Sequence, residues 1–223
     1  MAGLKQDAFE VARRKLVDDL KLRGYLKSQA IERAMLSVPR ELFVPEGVRD
    51  RAYEDRPLPI GYGQTISAPS MVAYMTELLE VSEGMKVLEV GTGSGYQAAI
   101  LAMIVGDRGH VWTVERIAEL ASRAKETIES LGLGGRVTVI VGDGSLGYPP
   151  AAPYDRIIVT AASPKVPRPL VEQLAEGGLM VIPVGSKEEQ VLTIVRKREG
   201  QVFQQSDIEV LFVPLVGAEA WDH

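Results

Sequence analysis

The sequence predicts a doubly wound α/β fold built on a mostly parallel sheet, and three observations carry that prediction. From residue 85 onward short apolar runs alternate with segments of helical period, the runs being "MKVLEV", "HVWTVE", "RVTVIVGD", "DRIIVTAA" and "LMVIPV". Each run is hydrophobic almost throughout, as befits strands covered on both faces. Gly91, Gly93 and Gly95 lie where the first run passes into a helix, the turn at which open α/β sheets receive ligands. A chain of 223 residues suffices for one large α/β domain.

The elements follow in order. Residues 4 to 22 place Phe9, Ala12, Leu16 and Leu20 on one face and charges elsewhere, an amphipathic helix. Ser28 stands as cap of a second helix carrying Ile31, Ala34, Met35 and Val38, which Pro39 closes. Residues 39 to 67 lose periodicity, with Pro39, Pro45, Pro57, Pro59, Gly61 and Gly63 making a long irregular segment; such segments are usually functional or disordered. Leu42, Phe43, Val44, Tyr53 and Ile60 argue against disorder. A helix is expected from Pro69 to Leu79, then strand 85–90, helix Tyr96 to Val105, strand 110–115 and helix Ile117 to Leu131. Strands 136–143 and 155–162, a helix near Pro169 to Ala175 and strand 179–184 complete the alternation. "QVLTIVRKR" and "QVFQQSDIEVLFVPL" flank Glu199-Gly200, which predicts a hairpin and hence an antiparallel C-terminal edge.

Composition narrows the function classes. With 25 Lys+Arg against 30 Asp+Glu the formal charge is -5, and without a basic block binding to a nucleic-acid backbone is disfavoured. Cysteine is absent, and His110 and His223 are the only imidazoles, so disulfides and thiolate nucleophiles are excluded and metal catalysis is not expected. The N-terminal twenty residues mix charges throughout, and no run approaches eighteen apolar residues. A soluble, cytoplasmic protein is expected, without a membrane partner. Asparagine is missing as well as cysteine, which fits selection against thermolabile side chains.

The glycines let backbone approach a ligand, and the free N–H groups of the helix start favour an anion. A tight turn without a ligand would explain a glycine cluster equally well. Context favours a site: Glu115 ends the next strand, where it can accept both hydroxyls of a ribose, and Asp143 in "VGDG" ends the strand after that. A solvated strand end and a turn former are the plainer readings of these two acids. Because Tyr96 follows Gly95, the spacing is G-x-G-x-G and not the dinucleotide fingerprint. S-adenosylmethionine has no pyrophosphate; it needs space for a carboxylate, an acid for the ribose and a polar group near the adenine. Gly91 to Gly95, Glu115 and Asp143 supply these in order.

The acceptor is constrained by what the sequence lacks. An Asn/Asp-Pro-Pro-aromatic tetrad would aim an amine, but the corresponding place reads Thr160-Ala161-Ala162-Ser163. No histidine or carboxylate stands out as a general base. A carboxylate acceptor requires none, since an α-carboxyl with a pKa near ~3.5 is already ionised at neutral pH.

"VPRELFVPE", "PLPIGYGQTISAPSMVAYMTELL", "VLEVGTGSGYQAA", "VGDGSLGYPPAAPYDRIIVTAA" and "VPRPLVEQLAEGGLMVIPVG" together resemble the protein-L-isoaspartate O-methyltransferase family, over roughly residues 28 to 216. The glycine loop is common to many methyltransferases, whereas "GQTISAP" ahead of it is highly specific. The resemblance implies a Rossmann-like class I methyltransferase fold of one domain. Residues 1–80 would form the N-terminal helices and a substrate-covering loop, 81–185 the cofactor core, and 186–223 the C-terminal hairpin and tail. It implies S-adenosyl-L-methionine as cofactor, S-adenosyl-L-homocysteine as product, and a monomer acting on L-isoaspartyl or D-aspartyl residues in flexible segments of damaged proteins. Methylation of the free α-carboxyl would start repair through a succinimide. Carried over by position, Ser67 is the active-site serine, and Gln64, Thr65 and Ile66 cover cofactor and substrate. Gly91, Gly93, Gly95, Glu115, Asp143 and Gly144 are cofactor positions. Val216 and Ser70 depart from residues common elsewhere in the family.

Ser67 has a second reading as the cap of the helix at Pro69, for which Ser70 is the rival. Tyr25, Tyr53, Trp112 and Trp221 are expected in packing. A methyltransferase for RNA or a small molecule, and a non-catalytic nucleotide-binding module, remain as alternatives.

Overall fold

The computed structural model describes residues 2–222; His223 lies outside the described residues. Helices α1 (Ala2–Leu22) and α2 (Gln29–Ser37) open the chain where the periodicity places them. Ser28 precedes α2, but its hydroxyl donates to Glu77 Oε2 at 2.6 Å instead of capping the helix. The segment expected to be irregular contains two 3-10 turns, Arg40–Phe43 and Glu46–Arg51, and a small hairpin of β1 (Leu58–Gly61) and β2 (Gln64–Ile66). Strands of four and three residues are too short for alternation to reveal. Their turn, Tyr62-Gly63, has φ of 54° and 69°, as a tight hairpin with a type I′ turn demands.

Helix α3 (Pro69–Leu79) leads into the alternating region: β3 (Lys86–Val90), α4 (Tyr96–Val105), β4 (His110–Glu115), α5 (Ala118–Ser130), β5 (Val137–Val141) and β6 (Tyr154–Val159). Helix α6 (Arg168–Gln173) is followed by β7 (Leu174–Gly185), which begins five residues before the predicted strand. Its first residue pairs with Tyr154 and the rest resumes pairing at Leu179 after a bulge, so glycines 177 and 178 hid the extension. Strands β8 (Gln190–Arg198) and β9 (Gln201–Val210) form the predicted hairpin around Glu199-Gly200.

The seven-stranded sheet has the order β5-β4-β3-β6-β7-β8-β9, parallel from β5 to β7 and antiparallel beyond. The chain runs outward from β3 through β4 to β5, then returns to β6 on the other side of β3. That reversal opens a crevice at the carboxyl ends of β3 and β6. Alternate residues of these strands serve two cores: Val87, Val111 and Ile158 pack with α2 to α5, while Leu88, Val114 and Ile157 pack with Leu170 of α6 and Leu215 of the tail. Helix α4 is buried on nine of its ten residues, lying between the sheet and α2, which explains its uniformly apolar sequence. None of the described helices is long and apolar enough to cross a membrane.

Candidate functional site

Four strand ends and two remote segments surround the cavity at the crevice. From β3 come Glu89 and the loop Gly91 to Ser94, from β4 Glu115 and Arg116, from beyond β5 Gly144, and from beyond β6 Thr160 and Ala161. Gln64 to Ser67 form one further wall and Val213 to Val216 of the tail another. Eight of the predicted positions therefore meet around one space: Gln64, Thr65, Ile66, Ser67, Gly91, Gly93, Glu115 and Gly144.

The glycine loop is shaped by contact as well as by turn. Gly91 has φ of 96°, and a Cβ there would stand 2.6 Å from Thr160 Oγ1, a hydroxyl that donates to the Gly91 carbonyl at 2.7 Å. A Cβ on Gly144 would meet Val90 Cγ1 at 2.5 Å. Glu115 is set by the backbone: Oε2 accepts from the Gly93 N–H at 2.8 Å and Oε1 from the Ile117 N–H at 3.0 Å. A carboxylate has about four acceptor positions, so two stay available to the hydroxyls of a ligand.

Gly95 and Asp143 do not line the cavity. Gly95 precedes α4 with φ of 89°, and a Cβ would touch Ala124 at 3.0 Å and Ile128 at 3.1 Å, so it lets α4 lie close to α5. Asp143 Oδ1 accepts from the backbone and hydroxyl of Ser145 at 2.9 and 2.7 Å, and Oδ2 accepts from the Ala218 N–H at 2.8 Å. It ties the tail to the sheet. Gly217 makes this possible, because a Cβ there would fall 2.1 Å from Asp143 Oδ1. The Leu215 N–H donates to the Ala162 carbonyl at 2.7 Å and the Ala162 N–H to the Val213 carbonyl at 2.8 Å, which brings Val213 to Val216 onto the cavity.

Neither serine caps α3, which corrects the expectation for both. The capping position belongs to Ala68, and the exposed N–H of Ser70 is met by Asp55 Oδ1 at 2.8 Å from a distant loop. Among the described residues the Ser67 hydroxyl has no partner; it is half-buried in the cavity wall, while its carbonyl accepts from Arg40 Nη2 at 2.8 Å. The hairpin that carries it is fastened by Arg123, whose Nη2 donates to the Ile60 carbonyl at 2.6 Å and whose guanidinium lies 5.9 Å from the Tyr62 ring.

Sequence reasoning missed Glu89. It is fully buried on β3, lines the cavity and, among the described residues, leaves Oε1 without a hydrogen bond. Its Oε2 lies 2.5 Å from Thr113 Oγ1, which in turn shares a hydrogen bond with Thr92 Oγ1 at 2.6 Å. Burial pushes the Glu89 carboxyl up to about 8, with the Thr113 hydrogen bond opposing and the Glu115 charge adding. An acid one residue from the end of the otherwise apolar run "VLEV" was the signal available. His110 lies at the opposite end of β4 from Glu115, bonded to Thr138, and burial lowers its pKa. Tyr25 and Trp112 pack edge-on against Tyr74 and Tyr154, as expected of isolated aromatics.

The comparisons with known proteins agree with this geometry. A family model described as protein-L-isoaspartate(D-aspartate) O-methyltransferase matches residues 11–220. The protein-L-isoaspartate O-methyltransferase of Hyperthermus butylicus is 55% identical over 224 residues, covering 97% of this chain and 93% of its own. That of Ignicoccus hospitalis is 58% identical over 212 residues, covering 94% and 100%. A Plasmodium falciparum protein-L-isoaspartate O-methyltransferase solved with S-adenosyl-L-homocysteine superposes with a TM-score of 0.83 at 28% identity, over 92% of this chain and 98% of that one. With the match running from the first helix through the glycine loop to the tail on Asp143, this chain belongs to the protein-L-isoaspartate(D-aspartate) O-methyltransferase family.

Proposed function

We propose that this chain methylates the free α-carboxyl of L-isoaspartyl residues in damaged proteins, using S-adenosyl-L-methionine, and so starts their repair through a succinimide. One observation carries the reading: a serine hydroxyl without a partner among the described residues, on a fastened hairpin, shares a cavity with a glycine loop and a backbone-set carboxylate.

The residues present fit the cofactor. Glu115 suits a ribose through its two remaining acceptor positions, and the orphaned Oε1 of Glu89 suits an ammonium group. Gly91 and Gly144 let the backbone of the cavity wall close against Thr160 and Val90, which a side chain at either position would prevent. Asp143, with both oxygens engaged by Ser145 and Ala218, acts on the adenine end by holding the tail in place.

When bound, the cofactor supplies a methyl group on a positively charged sulfur, so that transfer to a carboxylate gives neutral products and moves no proton. The protein's task is then to hold and desolvate the acceptor. Ser67 donates its hydroxyl proton to one carboxylate oxygen and leaves the other to attack. A neutral donor suits this better than a cation would, because a paired carboxylate is a poorer nucleophile. Thr65 and Ile66 flank the acceptor, and Gln64, half-buried at the turn, closes the cofactor side.

An acceptor in the chain's interior must reach a half-enclosed crevice, so substrates are flexible segments. Residues 1–80 act as the acceptor wall, 81–185 as the cofactor core and 186–223 as edge and closing tail. The working form is taken as a monomer in the cytoplasm, and light scattering tests the monomer. The activity is tested by incubation with methyl-labelled S-adenosyl-L-methionine and a matched pair of isoaspartyl and aspartyl peptides. Base-labile label on the isoaspartyl member alone is expected, and no label on it overturns the proposal; a D-aspartyl peptide tests the second acceptor.

A further inference from the structure

Arg40 is fully buried, a rare state for a guanidinium, and among the described residues it has no carboxylate in ion-pair contact. Burial lowers its pKa to about 10, so it stays charged at neutral pH. Its Nε donates to the Ala52 carbonyl and its Nη2 to the Ser67 carbonyl, each at 2.8 Å, while Nη1 has no partner. The guanidinium carbon also lies 5.0 Å from the ring centroid of Tyr96, the first residue of α4 and part of the cavity wall. One side chain thus touches the serine-bearing segment and the start of the helix that follows the glycine loop.

Its own base is fixed from a third direction. The Arg40 N–H donates to Tyr53 Oη at 3.2 Å; that oxygen also accepts from Arg13 Nε at 2.7 Å and donates to Glu41, which is paired with Arg13. A buried charge without a carboxylate in direct contact is costly, the Asp55 charge acting only from a distance, and an apolar residue would fill the space at lower cost. What the charge adds is a stronger bond to the Ser67 carbonyl and a rigid planar fork that spans two carbonyls.

We propose that Arg40 is a positioning residue for methyl transfer: it fixes the main chain of Ser67 relative to the glycine loop and so sets the distance between acceptor and cofactor. This rests on the reading of Ser67 as the residue that holds the acceptor. Lysine keeps the charge but cannot span both carbonyls, so it separates geometry from electrostatics.

The test compares the parent with Arg40→Lys, Ser67→Ala and the double variant, measuring kcat with an isoaspartyl peptide and Kd for S-adenosyl-L-homocysteine. R40K should lower kcat by about tenfold or more, as a misplaced reacting pair does, with Kd within about twofold. The double variant should be no slower than S67A within about twofold, since the two changes remove one effect. A parental kcat for R40K, or a loss that multiplies with that of S67A, overturns the proposal for Arg40 while leaving Ser67 in place. A parental kcat for S67A overturns the Ser67 reading instead, and Arg40's route to the chemistry with it. Should R40K fail to bind S-adenosyl-L-homocysteine, Arg40→Gln, which carries no buried charge, is put through the same comparison with the same outcomes.

Discussion

Replacing Glu89 with glutamine should make the ligand-free protein less sensitive to pH. The carboxyl titrates near 4.5 when exposed and at about 8 in its buried place on β3, because burial disfavours the charged form. Below pH 4.5 it is protonated in both states. As pH rises, the unfolded chain loses this proton while the folded chain keeps it, so stability falls until the folded carboxyl also ionises at about 8. Each unit of separation is worth ~1.4 kcal/mol, which puts a ceiling of roughly 5 kcal/mol on the effect. Even ~1 kcal/mol of it would move the unfolding midpoint of a chain this size by about 2–4 °C. Glutamine keeps the Thr113 hydrogen bond and removes the titration. The assay is thermal unfolding of parent and Glu89→Gln across this range without ligand. The midpoint of the parent should fall relative to that of the variant as pH rises from 5 to 8. A second arm measures protons released on cofactor binding in buffers of different ionisation enthalpy; close to one proton at pH 7 is expected for the parent and none for the variant. Parallel stability curves would refute the assignment of a raised pKa to Glu89.

Three further outcomes follow from the site. Ser67→Ala should lower turnover by about tenfold or more, yet change stability by less than about 0.5 kcal/mol, since no cap is lost; a chemical-melt series alongside the methyl-transfer assay reads both. Glu115→Ala should weaken S-adenosyl-L-homocysteine binding by about a hundredfold, from two charge-assisted hydrogen bonds of ~1.5 kcal/mol each, and calorimetry showing an unchanged Kd would remove Glu115 from the ribose. Gly217→Ala should lift the tail, because its Cβ would fall 2.1 Å from Asp143 Oδ1 and break the bonds from Ala218 to Asp143 and from Glu219 to Ser145. The loss of ~2–4 kcal/mol of docking should show as faster hydrogen exchange over residues 213–221.

Much of the fold was legible because the central strands β3, β4, β6 and β7 are largely buried and α2 and α5 carry clear apolar stripes, so the alternation from Lys86 onward could be read directly. The hairpin at Leu58 to Ile66 was not, since its strands are shorter than the period they would have to display. Ser67 was singled out correctly as part of the wall, but its competing role was misjudged: the cap comes from Asp55, fifteen residues before Ser70, and local sequence does not encode that meeting. Gly95 and Asp143 were read as ligand contacts because each ends a strand or begins a helix, while the space beside Gly95 is taken by α5 and the Asp143 carboxylate is engaged by the tail. Glu89 and Arg40 escaped notice for the same physical reason. Each is buried with one polar atom left without a hydrogen bond among the described residues, and burial becomes visible only once the neighbouring elements have packed.

The central claim is that the site aims a carboxylate and needs no base. The most direct measurement is the single-turnover rate of methyl transfer to an isoaspartyl peptide at saturating S-adenosyl-L-methionine as a function of pH. An acceptor with a pKa near ~3.5 should give a flat profile from about pH 5.5 to about 8 and no transfer to the matched aspartyl peptide. A rate that climbs with an apparent pKa of about 6 to 8, or equal transfer to both peptides, would contradict it.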